Sequence, residues 1–132
     1  MIVFERAVEF ILRFEGEISD DPNDSGGLTK YGISQKSYPD LDVRALTRTE
    51  AVEIYRRDFW ARCKCDQIPA PLAIILFDSA VNQGPTAAIR MFQKALGVTV
   101  DGKIGAETIA AGHRASLRLV TAEFIARRGY QY

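Results

Sequence analysis

The segment RFEGEISDDPNDSGGLTKYGIS, from Arg13 to Ser34, decides the fold because it joins an apolar helical stripe to a turn and a strand-like stretch. The stripe has helical spacing, and Gly16 stands where such a helix would end. We therefore predict a first helix ending at about Glu15. Residues 20–27 are dense in turn formers, and residues 28–34 alternate like a short hairpin.

The rest of the chain has the pattern of successive helices. Thr47 and Glu50 match a capping box, which would open a second helix running to about Trp60. Further helices are predicted from Pro71 to Gln83, from a Thr86 cap through Leu96, and from Ala106 to about Ala126 with an interruption near Gly112. The predicted fold class is mainly α within α+β, a helical domain with one small β-hairpin next to the first helix.

Length and composition limit the possible roles. With 132 residues, 47% of them hydrophobic, the chain can form one globular domain with its own core. Equal numbers of basic and acidic residues, 17 of each, remove the positive field that nucleic-acid binding requires. The longest apolar run, Pro71 to Phe77, is too short to span a bilayer. We expect a monomer with no nucleic-acid partner and no membrane span.

The N-terminal apolar stretch lacks the uninterrupted core of a secretory signal. Charged residues break it at Glu5, Arg6, Glu9 and Arg13. We therefore expect synthesis in the cytoplasm without a signal peptide.

Neither the cysteines nor the acidic loop predicts a metal site. Cys63 and Cys65 are one residue apart, a spacing that would strain a disulfide, so we predict free thiols. Counted from Asp21, the loop imitates a calcium-binding loop but has Gly32 where the bidentate glutamate belongs. We expect no metal and no cofactor.

Glu15 is the strongest candidate for acid chemistry. On a helix it lies on the same face as Ile11, Leu12 and Val8. An apolar wall and the negative end of the helix dipole both favour the protonated carboxylic acid. Such an acid is what general-acid cleavage of a glycosidic bond requires, although an ordinary exposed glutamate also suits this position.

The loop acids leave two interpretations open. Asp20, Asp21 and Asp24 can supply the second carboxylate of a hydrolase, or they can cap the turn. Asp24 follows a Pro-Asn turn and precedes Ser-Gly-Gly, so it lies at the hairpin tip or points back toward Glu15.

The segment EGEISDDPNDSGGLTKYGIS resembles the signature of glycoside hydrolase family 108, whose members are peptidoglycan muramidases of phages, prophages and bacteria. The matching residues are Glu15, Gly16, Asp21, Pro22, Asp24, Gly26, Gly27 and the run from Thr29 to Ser34. Downstream, FDSAVNQGPTAAIRMFQKALGVTVDGKIGAET is similar to the central helix of that family and its peptidoglycan-binding-like region. Two departures are Glu17-Ile18 in place of the usual Gly-Tyr, and the end at RRGYQY, where relatives usually continue.

The resemblance implies a single lysozyme-like, mostly helical domain over residues 1–132. Its catalytic part would be 1–84 and its peptidoglycan-binding-like helical part 85–132, short at the C-terminus. It implies that Glu15 is the catalytic acid. The order of residues is also similar to that of phage lysozymes, which would give Asp24 and Thr29 related roles.

Each remaining candidate keeps a structural alternative. Thr29 orients a water or the loop, or is a plain hairpin hydroxyl. Tyr31 packs against a sugar ring or belongs to the core. Asn82 and Gln83 line the cleft floor as substrate-binding residues, or Asn82 forms an internal bridge with Asp78.

The activity implied by the resemblance is a lysozyme, or N-acetylmuramidase, that cleaves the β-1,4 bond between N-acetylmuramic acid and N-acetylglucosamine. Its partners would be peptidoglycan glycan strands and, for delivery, a holin or a secretion system. It would act on the cell wall or periplasm after release, in bacteriolytic lysis by a phage endolysin or in wall remodelling. The alternative is a non-catalytic peptidoglycan-binding module or regulatory protein on a lysozyme-like fold, suggested by the altered Glu17-Ile18 rim.

Overall fold

The computed structural model describes residues 2–15, 18–20 and 27–129. Within these ranges the chain forms six α-helices and a three-stranded antiparallel sheet, which confirms the predicted, mainly helical fold class. The elements are α1 Ile2–Glu15, β1 Ile18–Asp20, β2 Leu28–Lys30, β3 Ile33–Ser34, α2 Arg48–Tyr55, α3 Ala70–Gln83, α4 Pro85–Leu96, α5 Ala106–Arg114 and α6 Leu117–Gly129. Short 3-10 turns occur at Val43–Ala45 and Cys65–Gln67, and a π-helical turn, Arg56–Trp60, follows α2.

The sheet has one strand more than the predicted hairpin. β2 lies in the middle, and antiparallel pairing joins it to β1 and to β3. Lys30 pairs with Ile33, so a two-residue turn connects β2 to β3 as the alternating segment predicted. β1 was not predicted because a three-residue strand is too short to show alternation.

Two predicted helix boundaries are confirmed. α1 ends at Glu15. The capping box is present at α2, where the amide of Glu50 donates to Thr47 Oγ1 at 3.1 Å and the amide of Thr47 donates to Glu50 Oε1 at 2.8 Å. These two bonds satisfy amides that a helix start otherwise leaves without partners.

Two other boundaries differ from the prediction. α4 begins at Pro85 with Gly84 as its N-cap, so Thr86 lies inside the first turn and does not cap the helix. Proline suits this first position because its missing N–H would have had no helical partner. The break between α5 and α6 falls at residues 115–116, whereas Gly112 is buried inside α5.

The chain divides into two compact units, Met1–Arg56 and Arg57–Tyr132. The apolar positions of α1 and the buried residues after it supply the core of the first unit: Phe4, Ala7, Val8, Ile11, Leu12, Ile33, Val43, Leu46, Ala51, Ile54 and Tyr55. In the second unit two edge-to-face ring pairs mark the core. Trp60 meets Phe77 at 5.3 Å between centroids, and Phe92 meets Phe124 at 5.9 Å.

A buried glutamine organises the turn between α4 and α5. Gln93 is 1% exposed, and its Nε2 donates to Asp101 Oδ1, the carbonyl of Lys103 and Thr108 Oγ1 at 2.8–3.1 Å. Its Oε1 accepts from the amides of Asp101 and Gly102 at 3.1 and 3.0 Å. Both ends of the side chain are therefore fully used in holding this turn.

Cys63 and Cys65 are free and buried, as predicted. The Cys65 thiol donates a hydrogen bond to Cys63, and this bond, together with burial, raises the pKa of the Cys65 thiol. Cys65 Sγ also lies 3.7 Å from the carbonyl oxygen of Ala73. Both cysteines therefore act as core residues.

None of the described helices is both long and apolar enough to cross a membrane.

Candidate active site

The end of α1 places the predicted catalytic acid. Glu15 is the last residue of this helix, and the positions three, four and seven residues before it, Leu12, Ile11 and Val8, are all buried. Backbone position 15 therefore belongs to the buried face of α1. The side chain of Glu15 and the whole of Asp24 lie outside the described residues.

Thr29 lies at the centre of the sheet that follows α1. It is half-buried in β2, and its register partners are Ser19 on β1 and Ser34 on β3. Ser34 is itself engaged, since its Oγ accepts from the amide of Ser37 at 3.0 Å. Thr29 thus lies on the central strand, which pairs with both β1 and β3.

Tyr31 and Gly32 form the turn that joins β2 to β3. Their φ angles are +53° and +81°, and positive φ at both central positions defines a type I′ turn. Glycine adopts such a φ freely, but an aromatic residue there is strained. Residues held in such sparsely populated conformations cluster at functional sites, so the strained backbone keeps Tyr31 a candidate binding residue.

The strained turn is fixed by side chains of the same unit. Tyr55, 1% exposed, donates from its Oη to the carbonyl oxygen of Tyr31 at 2.7 Å. Lys30 Nζ lies 5.8 Å from the centroid of the Tyr31 ring and donates to the carbonyl of Arg44 at 2.8 Å. The bond from Tyr55 thus fixes the backbone of the turn, and Lys30 lies beside the half-buried Tyr31 ring.

The other predicted binding residues lie at the end of α3. Asn82 is exposed, and its Nδ2 donates to the carbonyl of Asp78 at 2.9 Å, one turn earlier in the same helix. The predicted internal bridge is therefore present, with the backbone of Asp78 as its acceptor. This bond uses one of the two N–H donors of the Asn82 amide, so the second N–H and the amide oxygen are the groups that could contact a ligand.

Gln83 and Ser79 form an unusual polar pair on α3. They are four residues apart and share a helix face. Ser79 is fully buried, and its Oγ has no hydrogen-bond partner among the described residues; the same holds for both buried polar atoms of the Gln83 amide. An unpartnered buried polar group costs about 1–3 kcal/mol, so these atoms are suited to accept or donate a hydrogen bond with a water or a ligand.

Sequence reasoning did not single out Ser79, which the structure adds as a candidate beside Gln83. The signal available was a hydroxyl four residues before Gln83 on an otherwise apolar helix, but burial and the lack of a partner become visible only in the structure.

The described residues offer hydrogen-bonding and aromatic groups for a polar ligand. They contain no group of three histidine, cysteine or acidic side chains arranged to hold a metal ion. Thr29 lies in β2 and Tyr31 in the turn that follows it, and Ser79, Asn82 and Gln83 lie on the last turn and a half of α3. Hydroxyl, amide and aromatic groups in such clusters are suited to a carbohydrate.

Comparison with known proteins agrees with these features. The family model described as glycosyl hydrolase 108 matches residues 8–84, and that of a peptidoglycan binding domain matches residues 77–111. Among solved structures, Brucella abortus SagA superposes with a TM-score of 0.87 at 34% sequence identity, covering 95% of this chain and 76% of SagA. A search of curated proteins gave no match.

The first family model spans more than half of the chain and includes the second half of α1, ending at Glu15, and the Tyr31 turn. The second covers the end of α3, all of α4 and the turn that Gln93 holds. The chain therefore belongs to glycosyl hydrolase family 108 and is a lysozyme-like glycoside hydrolase of peptidoglycan.

Proposed function

We propose that this enzyme cleaves the β-1,4 bond between N-acetylmuramic acid and N-acetylglucosamine, with Glu15 as the general acid. The observation that carries the proposal is the position of Glu15 as the last residue of α1, at helical spacing from the buried residues Leu12, Ile11 and Val8. Proximity to an apolar face and to the negative end of the helix dipole favours a carboxylic acid that keeps its proton.

In the proposed reaction Glu15 donates its proton to the glycosidic oxygen as the C1–O bond breaks. The N-acetylglucosamine side leaves as an alcohol, and a water supplies hydroxyl to C1 of N-acetylmuramic acid and returns a proton to the enzyme. Asp24 is the second carboxylate, stabilising the cation-like sugar or activating water, and Thr29 in β2 orients that water or the loop.

Substrate contacts are assigned to Tyr31, Asn82 and Gln83. Tyr31 has a half-buried ring on a turn that Tyr55 fixes, which suits stacking against a sugar. The Gln83 amide has donor and acceptor atoms without partners among the described residues, so a glycan acetamido or hydroxyl group would satisfy them. Ser79 joins them as a positioning residue four residues before Gln83.

The bond assignment is tested by the new ends of digested peptidoglycan. Purified sacculi are incubated with the enzyme, reduced with borohydride and analysed by mass spectrometry. Reduced N-acetylmuramic acid at the new ends is expected. Reduced N-acetylglucosamine at the new ends would show that the enzyme cuts the other glycosidic bond. Anhydro ends, which have no reducible group, would show an intramolecular transfer in place of hydrolysis.

A further inference from the structure

A second candidate binding site lies wholly within the second unit. An open pocket of about 470 Å³ forms between the segment before α3, the start of α4 and the turn that Gln93 holds. Its polar lining comprises Arg62, Lys64, Thr86, Asp101 and Lys103. This volume falls in the range of small-ligand sites and is large enough for one or two amino-acid residues.

The charge of this pocket favours an anion. Arg62, Lys64 and Lys103 are positive, and Asp101 is the single acid among the lining residues. Asp101 is already occupied, because its Oδ1 accepts from Gln93 Nε2 at 2.9 Å and from the amide of Lys103 at 3.0 Å. These hydrogen bonds hold the pKa of the Asp101 carboxyl below its ordinary value, so it stays ionised. Its single negative charge offsets only one of the three positive charges of the lining.

Backbone conformation and one side-chain hydrogen bond help to position two of the positive groups. Lys64 has a φ of +49°, a left-handed conformation that strains a long side-chain residue and, when observed, points to a functional position. Arg62 Nη2 donates to Thr86 Oγ1 at 3.0 Å, which directs the guanidinium to the start of α4. At Gly102, with φ +77°, a Cβ would meet Arg90 Nε at 3.2 Å and Thr86 Cγ2 at 3.3 Å, so the turn packs closely against side chains of α4.

The start of α4 adds to the attraction. Its N-cap is Gly84, which offers no side chain to the free amides of the first turn, and Thr86 from that turn lines the pocket. The positive end of a helix dipole favours an anion at this position.

We infer that this pocket binds a carboxylate of the peptide stem of peptidoglycan, through Arg62, Lys64 and Lys103. The identity of the ligand rests on the proposed function, because the stem carries free carboxylates beside the glycan bond that is cut. A guanidinium and two ammonium groups around one cavity match a carboxylate that they can approach from several sides. Stem binding would hold the glycan strand on the enzyme between cuts.

The test uses the whole protein and a synthetic stem peptide, L-Ala-γ-D-Glu-L-Lys-D-Ala, without sugar. Amide NMR shifts are followed during titration with this peptide, with its fully amidated counterpart and with inorganic phosphate. We expect the acid peptide to shift the amides of Gly102 and Lys103, and binding to weaken as salt shortens the screening length. Equal binding of the amidated peptide, or tighter binding of phosphate, would overturn the carboxylate assignment.

Matched variants locate the binding energy. Lys64→Asn removes a charge at a backbone conformation that asparagine tolerates, and Lys103→Gln removes another. Together they should weaken peptide binding by roughly fivefold or more, the scale of two exposed ion pairs. Lys94→Gln, an exposed lysine of α4 outside the pocket lining, is the control. An equal loss of peptide binding in the Lys94→Gln control, or no loss of binding in the double variant, would refute the site.

Stem binding and bond cleavage are measured separately, so their failures are distinguishable. Release of reducing ends with no shift of the pocket amides would leave the proposed reaction standing and remove the pocket. Shifts of the pocket amides with no release of reducing ends would leave the pocket standing and remove the proposed reaction, since the peptide carries no glycosidic bond.

Discussion

Replacing Tyr31 by asparagine separates a sugar-contacting role from a role in the core. A left-handed φ of +53° costs a bulky residue about 1–2 kcal/mol, and asparagine adopts it at lower cost. The replacement gives up a contact with Lys30, worth about 0.5–1 kcal/mol at a partly exposed site. These two terms nearly cancel, and loss of the half-buried ring surface adds about 1 kcal/mol, so the free energy of unfolding should fall by less than about 2 kcal/mol.

Activity should respond differently from stability. Loss of an aromatic face that stacks on a sugar costs about 1–1.5 kcal/mol, or roughly tenfold in kcat/KM. The assays are urea unfolding and reducing-end release from soluble glycan strands. Tyr55→Phe is the matched comparison, because it keeps the Tyr31 ring and removes the 2.7 Å bond that fixes its carbonyl. Destabilisation of Tyr31→Asn by about 3 kcal/mol or more, the cost of a truncated core aromatic, would refute the reasoning.

Three further predictions concern the second unit. Gln93→Leu should lower the free energy of unfolding by about 3 kcal/mol or more, measured by urea unfolding, because five hydrogen bonds lose their shared partner. Hydrogen bonds from the Gln93 side chain and the Lys103 amide lower the pKa of the Asp101 carboxyl. The ionised carboxylate therefore stabilises the fold above pH 3.8, its ordinary pKa, and this stabilisation is lost as the pH falls through the lowered pKa. Melting temperatures at decreasing pH should therefore fall less in Asp101→Asn than in the parent. Thiol titration of the unfolded, unreduced protein should find both Cys63 and Cys65 reactive, whereas in the native protein both should be protected by burial. Two unreactive thiols in the unfolded chain would disprove free cysteines.

Features with a local physical cause could be predicted from the sequence. The end of α1 follows from its apolar spacing and the glycine after it, and the capping box of Thr47 and Glu50 follows from two side chains three residues apart. The turn between β2 and β3 was visible in the alternation around Tyr31 and Gly32.

Features that depend on contacts distant in sequence could not be predicted. The positive φ of Tyr31 is maintained by Tyr55, 24 residues later, and nothing in the local pattern shows this bond. Gln93 looked like one polar residue of an amphipathic helix, whereas its partners are 8 to 15 residues away. The roles of Glu15, Asp24, Thr29, Asn82 and Gln83 remain predictions.

The most direct test of the central claim compares Glu15→Gln with Glu9→Gln. Glu9 is on the same helix and forms an exposed pair with Arg48, so its replacement applies the same chemical change away from the proposed reaction. With both variants folded, Glu15→Gln should release reducing ends from purified peptidoglycan at least about a hundredfold more slowly, the scale of lost general-acid catalysis, and Glu9→Gln at the parent rate. Cleavage by Glu15→Gln as fast as by the parent would contradict the assignment of Glu15 as the acid.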